Sequence, residues 1–156
     1  MSGEPASGEP AGGDPARGSP ASIVVQRFVE WPDTDAAGHY HHSSVVRWVE
    51  AAEAVLHERL DLLELFGSVP RVRYEVDYLA RLWFRDRVDI ALWVESVGRT
   101  SLRYAFEVRR GSEVAARGVM VAVNADPTAG GTAAWPEAAR EALLTAGPQR
   151  PQQLVD

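Results

Sequence analysis

Four consecutive segments of this chain alternate apolar and polar residues, and a single segment of helical period precedes them. In Arg71–Tyr78, the residues Val72, Tyr74, Val76 and Tyr78 alternate with Arg71, Arg73, Glu75 and Asp77. Residues 89–97 place Ile90, Leu92 and Val94 on one side, and residues 103–109 do the same with Tyr104, Phe106 and Val108. In residues 118–124, Val119, Val121 and Val123 share a face. Period two means strands with one buried face. Gly98 and Gly111 fall between segments and predict hairpin turns.

The helical segment has Val45, Trp48, Val49, Ala52, Val55, Leu56 and Leu60 on one face. Arg47, Glu50, Glu53, His57 and Glu58 fall largely opposite. That is one buried stripe with a polar back. Ser43 or Ser44 is placed to cap its start. Residues 23–30 read as a first strand, and a weaker helical turn ends at Gly67. One helix on one antiparallel sheet makes an α+β domain.

The first 22 residues separate from the rest as a Gly/Pro/Ala-rich five-residue repeat. Such a tract cannot bury a core, so residues 1–22 are expected to be a disordered tail. Residues 23–126 form the domain. Residues 127–156 form an extension with a short helix in PEAAREALL and a loose, Pro-containing end. A domain of roughly 110 residues buries about two-thirds of its unfolded surface, so oligomerisation would help it.

The net charge is −6, and all sixteen basic residues are Arg. That balance argues against a nucleic-acid partner, which needs a basic face. There is no Cys, which removes disulfides, Cys nucleophiles and Cys-ligated zinc. No run approaches the ~18 apolar residues of a membrane span, and no apolar signal core opens the chain. A cytoplasmic protein without a membrane partner is expected.

Chemistry concentrates in Asp33-Thr34-Asp35-Ala36-Ala37-Gly38-His39-Tyr40-His41-His42, between the first strand and the helix. Loops at helix N-termini offer free N–H groups and a positive dipole end. A carbonyl oxygen aimed there is polarised as it gains negative charge. A carboxylate beside such a site is the equipment of acyl transfer. The competing reading of an Asp ahead of a helix is a cap or turn former. The three His residues lack an i, i+4 pair, so no metal is expected.

These elements together resemble the hotdog-fold thioesterases of the 4-hydroxybenzoyl-CoA thioesterase type, including the acyl-CoA thioesterases associated with the Tol–Pal system. The matching residues are Asp33-x-Asp35-x-x-Gly38, then His42, Ser44, Trp48 and Glu50. GRTS at 98–101 and RGSEVAARG at 110–118 match farther along. The resemblance covers roughly residues 23–126, and PEAAREAL echoes a common family ending.

It implies a long central helix wrapped by a five-stranded antiparallel sheet. It implies hydrolysis of an acyl-CoA or acyl-carrier-protein thioester without a cofactor. Asp35 would be base or nucleophile, and His42 would polarise the carbonyl. Gly38 would allow a tight turn and close substrate approach. His41, Trp48, Thr100 and Ser101 are the further substrate-binding candidates, the last two toward a neighbouring protomer. Arg85, Arg87 and Arg99 are candidates for nucleotide phosphates. A homodimer or homotetramer is implied.

His41 stands where Tyr is frequent in the family, and His39 where a small apolar residue is common. Arg81–Asp86 replaces a more usual Pro- and Gly-containing turn. The rival enzyme class is a hotdog hydratase or dehydratase, whose D-x-N-P-x-H or H-F-P-G-H runs are absent. The rival outside enzymes is an acyl-thioester binding protein.

Overall fold

The computed structural model describes residues 18–154. Its elements are β1 (Ser19–Phe28), α1 (His42–Arg59), β2 (Arg71–Tyr78), β3 (Arg87–Val97), β4 (Ser101–Arg110) and β5 (Glu113–Val123). After them come α2 (Glu137–Thr145), β6 (Ala146–Pro148) and β7 (Gln152–Gln153). Short 3-10 turns occupy Trp31–Asp33 and Leu63–Ser68. The sheet order is β2-β5-β4-β3-β1-β6, with β7 also on β1.

The five long strands pair antiparallel and curve around α1, which lies against β1 and β3. This is the hotdog arrangement. The expected five strands become seven because β6 and β7 add parallel to β1. The chain end after α2 is therefore tied down over residues 146–153. Backbone bonds hold it, Gln149 N–H to Ser22 C=O at 2.8 Å and Leu154 N–H to Gln26 C=O at 2.7 Å. β1 begins at Ser19, so the strand takes in the end of the segment read as tail. Residues 1–17 of that tail lie outside the described residues.

The alternation places Ile23, Ile90, Leu92, Tyr104, Phe106, Met120 and Ala122 on the inner face, where α1 covers them. Two strands depart from the reading. In β5 the buried residues are Ala115, Ala116, Met120 and Ala122, so Val119, Val121 and Val123 share the outer face. In β2, Val72 is 60% exposed and Tyr78 is exposed, because β2 is the sheet's edge and curls beyond the helix. Gly118 lets β2 approach β5: a Cβ there would lie 1.8 Å from the Glu75 carbonyl oxygen.

α1 also carries two titratable residues inward. Glu53 and His57 are 0% and 1% exposed, against the expectation of a solvent-facing pair. The sheet wraps far enough round α1 to enclose its flank, and partners from other elements meet them there. Arg71 donates to Glu53 Oε1 at 2.9 Å. The Tyr104 hydroxyl lies 2.9 Å from His57 Nε2, and the Leu62 carbonyl 3.4 Å from Nδ1.

Burial pushes the Glu53 carboxyl up to about 7, against the opposing pull of Arg71. Burial pushes the His57 imidazole down to about 4. A neutral imidazole then gives its Nδ1–H to Leu62 and accepts from Tyr104 at Nε2. The two shifts act on stability with opposite signs. The Glu53 contribution is full below its ordinary value of 4.5 and is lost as pH rises to about 7. The His57 contribution is full above its ordinary value of 6.5 and is lost as pH falls toward about 4. Between those ordinary values the slopes offset each other.

Glu53→Gln removes the first slope and leaves the second. Its urea midpoint should therefore drop more steeply from pH 6.5 to pH 4.5 than the wild-type midpoint does. Parallel pH curves for the two proteins would remove Glu53 from this balance.

Candidate active site

The segment from Trp31 to His42 folds back on itself as a small turn, with a bridge between Thr34 and Tyr40. Its two carboxylates have different jobs. Asp33 is buried, and its Oδ2 accepts the Glu30 N–H at 2.8 Å. Its Oδ1 faces Arg47 at 3.4 Å, and its carbonyl accepts the His41 N–H at 2.7 Å and the Ser44 hydroxyl at 2.8 Å. Asp33 thus fastens the loop to the head of α1.

Asp35 is exposed. Its Oδ1 accepts the Ala37 N–H at 2.8 Å, and its carbonyl accepts the Gly38 N–H at 3.0 Å. Gly38 sits at φ +87°, in the left-handed region that favours glycine. The face of Gly38 that lacks a side chain lies against Trp83. This geometry turns the chain so that Asp35 and the head of α1 share a cleft.

α1 is capped by His41 rather than by either serine. The His41 Nδ1 accepts the Ser43 N–H at 3.2 Å. Ser44 lies inside the helix because its hydroxyl is already committed to Asp33. The Ser44 N–H goes to the His41 carbonyl at 2.9 Å. The His42 N–H, at the first helical position, has no acceptor among the described residues. First-turn amides of this kind carry the positive end of the helix dipole.

The cleft holds about 400 Å³ and is lined by Asp35, His39, Tyr40, His42, Tyr78, Leu79, Ala80 and Arg81. Pockets of this size take small-molecule ligands. Tyr40 anchors the wall: its hydroxyl donates to the Ala80 carbonyl at 3.0 Å, and its N–H to the Leu82 carbonyl at 2.8 Å. Burial pushes the Tyr40 phenol up to about 12, so it remains a donor. The Tyr78 hydroxyl donates to the His42 carbonyl at 2.7 Å, closing the cleft over the helix head. A wider groove of about 680 Å³ runs along the outer sheet face, past Glu75, Trp93, Glu107 and Arg117. It has no helix terminus in its wall and lacks an oxyanion donor of this kind.

The family model of the thioesterase-like superfamily matches residues 29–143, well over half of the chain. The chain belongs to the thioesterase-like superfamily. As a member it is a thioester hydrolase. A thioesterase from Thermus thermophilus, solved with coenzyme A and zinc, is similar at 33% identity and a TM-score of 0.70. That match covers 77% of this chain and 90% of the Thermus chain. A predicted thioesterase from Bacillus stearothermophilus shares 26% identity at a TM-score of 0.72, over 78% of this chain and 93% of its own. A 1,4-dihydroxy-2-naphthoyl-CoA thioesterase from Synechocystis shares the fold, with 18% identity, a TM-score of 0.73, and coverage of 78% and 95%. No curated protein matches the chain.

Within this thioesterase, Asp35 and His42 line the cleft, while Gly38 shapes the turn between them and His41 caps α1. Trp48 does not reach the cleft. It is fully buried and stacks on the inner side of Tyr40, with ring centroids 6.0 Å apart. Arg99, Thr100 and Ser101 lie in the β3–β4 hairpin, at the far end of the sheet from the cleft. β4 spans ten residues, so the separation along the strand is roughly 30 Å. That hairpin packs on the C-terminal segment, with Trp135 Nε1 donating to the Ser101 carbonyl at 3.0 Å. Arg85 and Arg87 stand outside the cleft wall; the Arg85 guanidinium lies 4.4 Å from the centre of the Phe28 ring.

Tyr78, Leu79, Ala80 and Arg81 are cleft residues that the sequence did not single out. Their only signal was their place at the end of an alternating strand. Among the described residues, no group of three or more His, Cys, Asp or Glu converges as a metal ion requires. His39 packs edge-on against Trp83, while His41 caps α1. No described helix is long and apolar enough to cross a membrane.

Proposed function

We propose that this thioesterase hydrolyses acyl-CoA thioesters with Asp35 as base or nucleophile and the His42 amide as carbonyl-polarising donor. The observation that carries this is that Asp35 and His42 line one cleft, and the His42 N–H at the head of α1 has no acceptor among the described residues. On the base route, Asp35 takes a proton from water as the water oxygen adds to the thioester carbon. The carbonyl oxygen becomes an oxyanion at the His42 N–H. Collapse breaks the C–S bond, and the thiolate leaves to be protonated. On the nucleophilic route, the Asp35 carboxylate adds to the thioester carbon, the C–S bond breaks to expel the thiolate, and water then cleaves the resulting anhydride to release the acid and restore the carboxylate. Neither route requires a group the cleft lacks. One base and one oxyanion donor typically contribute 10²–10⁴-fold and ~10²–10³-fold.

The subtype we propose is the 4-hydroxybenzoyl-CoA thioesterase type, supported by Asp33-x-Asp35-x-x-Gly38 and by His42 seven residues after Asp35. Tyr40 and Tyr78 in the cleft wall suit an aromatic or medium-length acyl group. The Thermus relative solved with coenzyme A supports CoA as the thiol carrier.

We also propose a homodimer or homotetramer. The outer edge of β2 is unpaired among the described residues, and Tyr78 at its end lines the cleft. Free edges are templates for pairing. A second β2 laid on this edge would bring the partner copy to the site. Sedimentation as a monomer across the working concentration range would overturn the assembly.

The deciding assay is thiol release over a panel of acyl-CoAs, with Asp35→Ala as control. Release that depends on Asp35 supports hydrolysis. Hydration of an enoyl-CoA without thiol release would mean a hydratase, and binding without turnover a binding protein.

A further inference from the structure

The His42 N–H belongs to the peptide unit that joins His41 to His42, so whatever fixes His41 fixes its direction. The His41 N–H donates to the Asp33 carbonyl at 2.7 Å, and the His41 carbonyl accepts the Ser44 N–H at 2.9 Å. The side chain adds a third tie: Nδ1 accepts the Ser43 N–H at 3.2 Å. The Ser43 hydroxyl oxygen lies 2.7 Å from the same nitrogen. Arg47 donates to that oxygen at 3.2 Å, which leaves the hydroxyl proton to point at Nδ1. Two donors thus meet one ring nitrogen.

Both donors need the Nδ1 lone pair, so this arrangement requires a neutral ring with its proton on Nε2. A second proton on the ring would take that lone pair, turn both donors away and remove the cap. The charges around the ring come from every side. The His42 ring lies 4.0 Å away, centre to centre. Arg47 stands beyond Ser43 and faces Asp33 at 3.4 Å. From β1, Arg27 faces both Glu30 and Asp33 at 4.0 Å. In the facing loop, Asp86 is held by Arg110 at 2.8 Å. From the end of β2, the Tyr78 hydroxyl donates to the His42 carbonyl, and Asp35 and Arg81 line the cleft beside it. Asp33 already faces two guanidinium groups, so of the two carboxylates in the Asp33–His42 segment only Asp35 is left to favour a charged ring.

From this geometry we propose that His41 is a positioning residue, whose neutral ring fixes the first turn of α1 so that the His42 N–H is held ready for the carbonyl oxygen. Protonating the ring frees Ser43 and lets the turn fray, and the oxyanion loses its donor. The inference rests on the hydrolytic reading above and names the side chain that holds its oxyanion site. His41 touches no reacting atom and acts through the amide next to it. Ser, Asp and Asn, the preferred caps, do this without changing charge near neutral pH, whereas histidine changes charge between about pH 5 and 8. Turnover therefore depends on a proton that takes no part in the chemistry.

The test compares His41→Ala, which has no cap, with His41→Asn, whose side-chain oxygen accepts the same N–H and does not titrate. On benzoyl-CoA at about pH 8, kcat of His41→Ala should fall by roughly tenfold or more with KM little moved, part of the ~10²–10³ that one oxyanion donor supplies. His41→Asn should recover most of that loss. As pH is lowered from about 8 to about 5, the wild-type kcat should fall more steeply than that of His41→Asn. Asp35 and His42 are present in both proteins, so the difference belongs to residue 41. Wild-type kcat in His41→Ala, a loss in KM alone, or coincident pH curves for wild type and His41→Asn would each overturn the inference.

Phenacyl-CoA, in which a methylene separates the carbonyl from sulfur and leaves no thioester to cleave, separates this inference from hydrolysis. Its binding should move the His42 amide proton downfield in wild type and in His41→Asn, and leave it in place in His41→Ala. That pattern upholds the positioning role even where Asp35→Asn still releases thiol, and then only the hydrolytic reading falls. A His42 amide that stays in place in wild type, or moves equally in all three proteins, overturns the role whatever the turnover. So does a wild-type His41 ring whose nitrogen shifts put the proton on Nδ1 at neutral pH. The ring shifts and the comparison of wild type with His41→Asn decide the matter even where His41→Ala does not fold.

Discussion

Asp35→Asn should lower thioester turnover by at least ~100-fold while the melting temperature stays where it is. A hundredfold is about 2.7 kcal/mol of transition-state stabilisation, within what one positioned base supplies. The substitution is chosen for its geometry. Asn keeps an Oδ1 that can accept the Ala37 N–H, so the turn that Asp35 caps at 2.8 Å survives. What it loses is the carboxylate that takes a proton or attacks carbon. Asp35→Ala loses both, and should add about 1 kcal/mol of destabilisation to the same loss of turnover. The contrast with Asp33 sharpens the expectation. Asp33 is buried under Arg47 and holds the loop to α1, so Asp33→Asn should show its effect first in the melting curve. Near-normal turnover in a purified, folded Asp35→Ala protein would remove Asp35 from the reaction.

Trp48→Ala should cost about 3–5 kcal/mol of stability, the range for emptying a large aromatic site in a core. Trp48 is fully buried, and it is the largest such side chain in the described residues. Its ring lies nearly parallel to Tyr40, 8° apart, and Arg27 sits 5.5 Å from its centre on α1's packed side. Tyr40 in turn carries the cleft wall through Ala80 and Leu82. Trp48→Phe keeps a ring behind Tyr40 and should retain most of the stability. Urea unfolding of both variants checks the difference. A Trp48→Ala midpoint close to wild type would mean the site collapses without a cavity, and Trp48 would then not be the support of Tyr40.

Much of the architecture was legible because it depends on local periodicity. The alternation in residues 89–97 and 103–109 placed Ile90, Leu92, Tyr104 and Phe106 on the buried face, and they are buried. The helical stripe placed Trp48, Val49, Ala52 and Leu56 against the sheet, and they are against it. Where the reading failed, the cause was an element's place among the others. Alternation cannot say which strand is the edge, so Val72 was read as inward and stands exposed. Charge alone put Glu53 and His57 outside, because their partners Arg71 and Tyr104 are 18 and 47 residues away. The serines looked like caps because cap preference is local, yet the Ser44 hydroxyl is taken by the carbonyl of Asp33.

The sequence by itself determined the hotdog order of strand, helix and sheet, and the pairing of Asp35 with a helix start seven residues on. Both rest on neighbours along the chain, where spacing and propensity suffice. Only the tertiary structure decided the cleft. Tyr78 through Arg81 come to face Asp35 because edge strand β2 ends at the head of α1. The same packing buried Trp48 behind Tyr40, outside the cleft lining, and set Arg99, Thr100 and Ser101 at the other end of the sheet. Which side chains meet across such distances depends on sheet order and curvature, and those are set by the whole core.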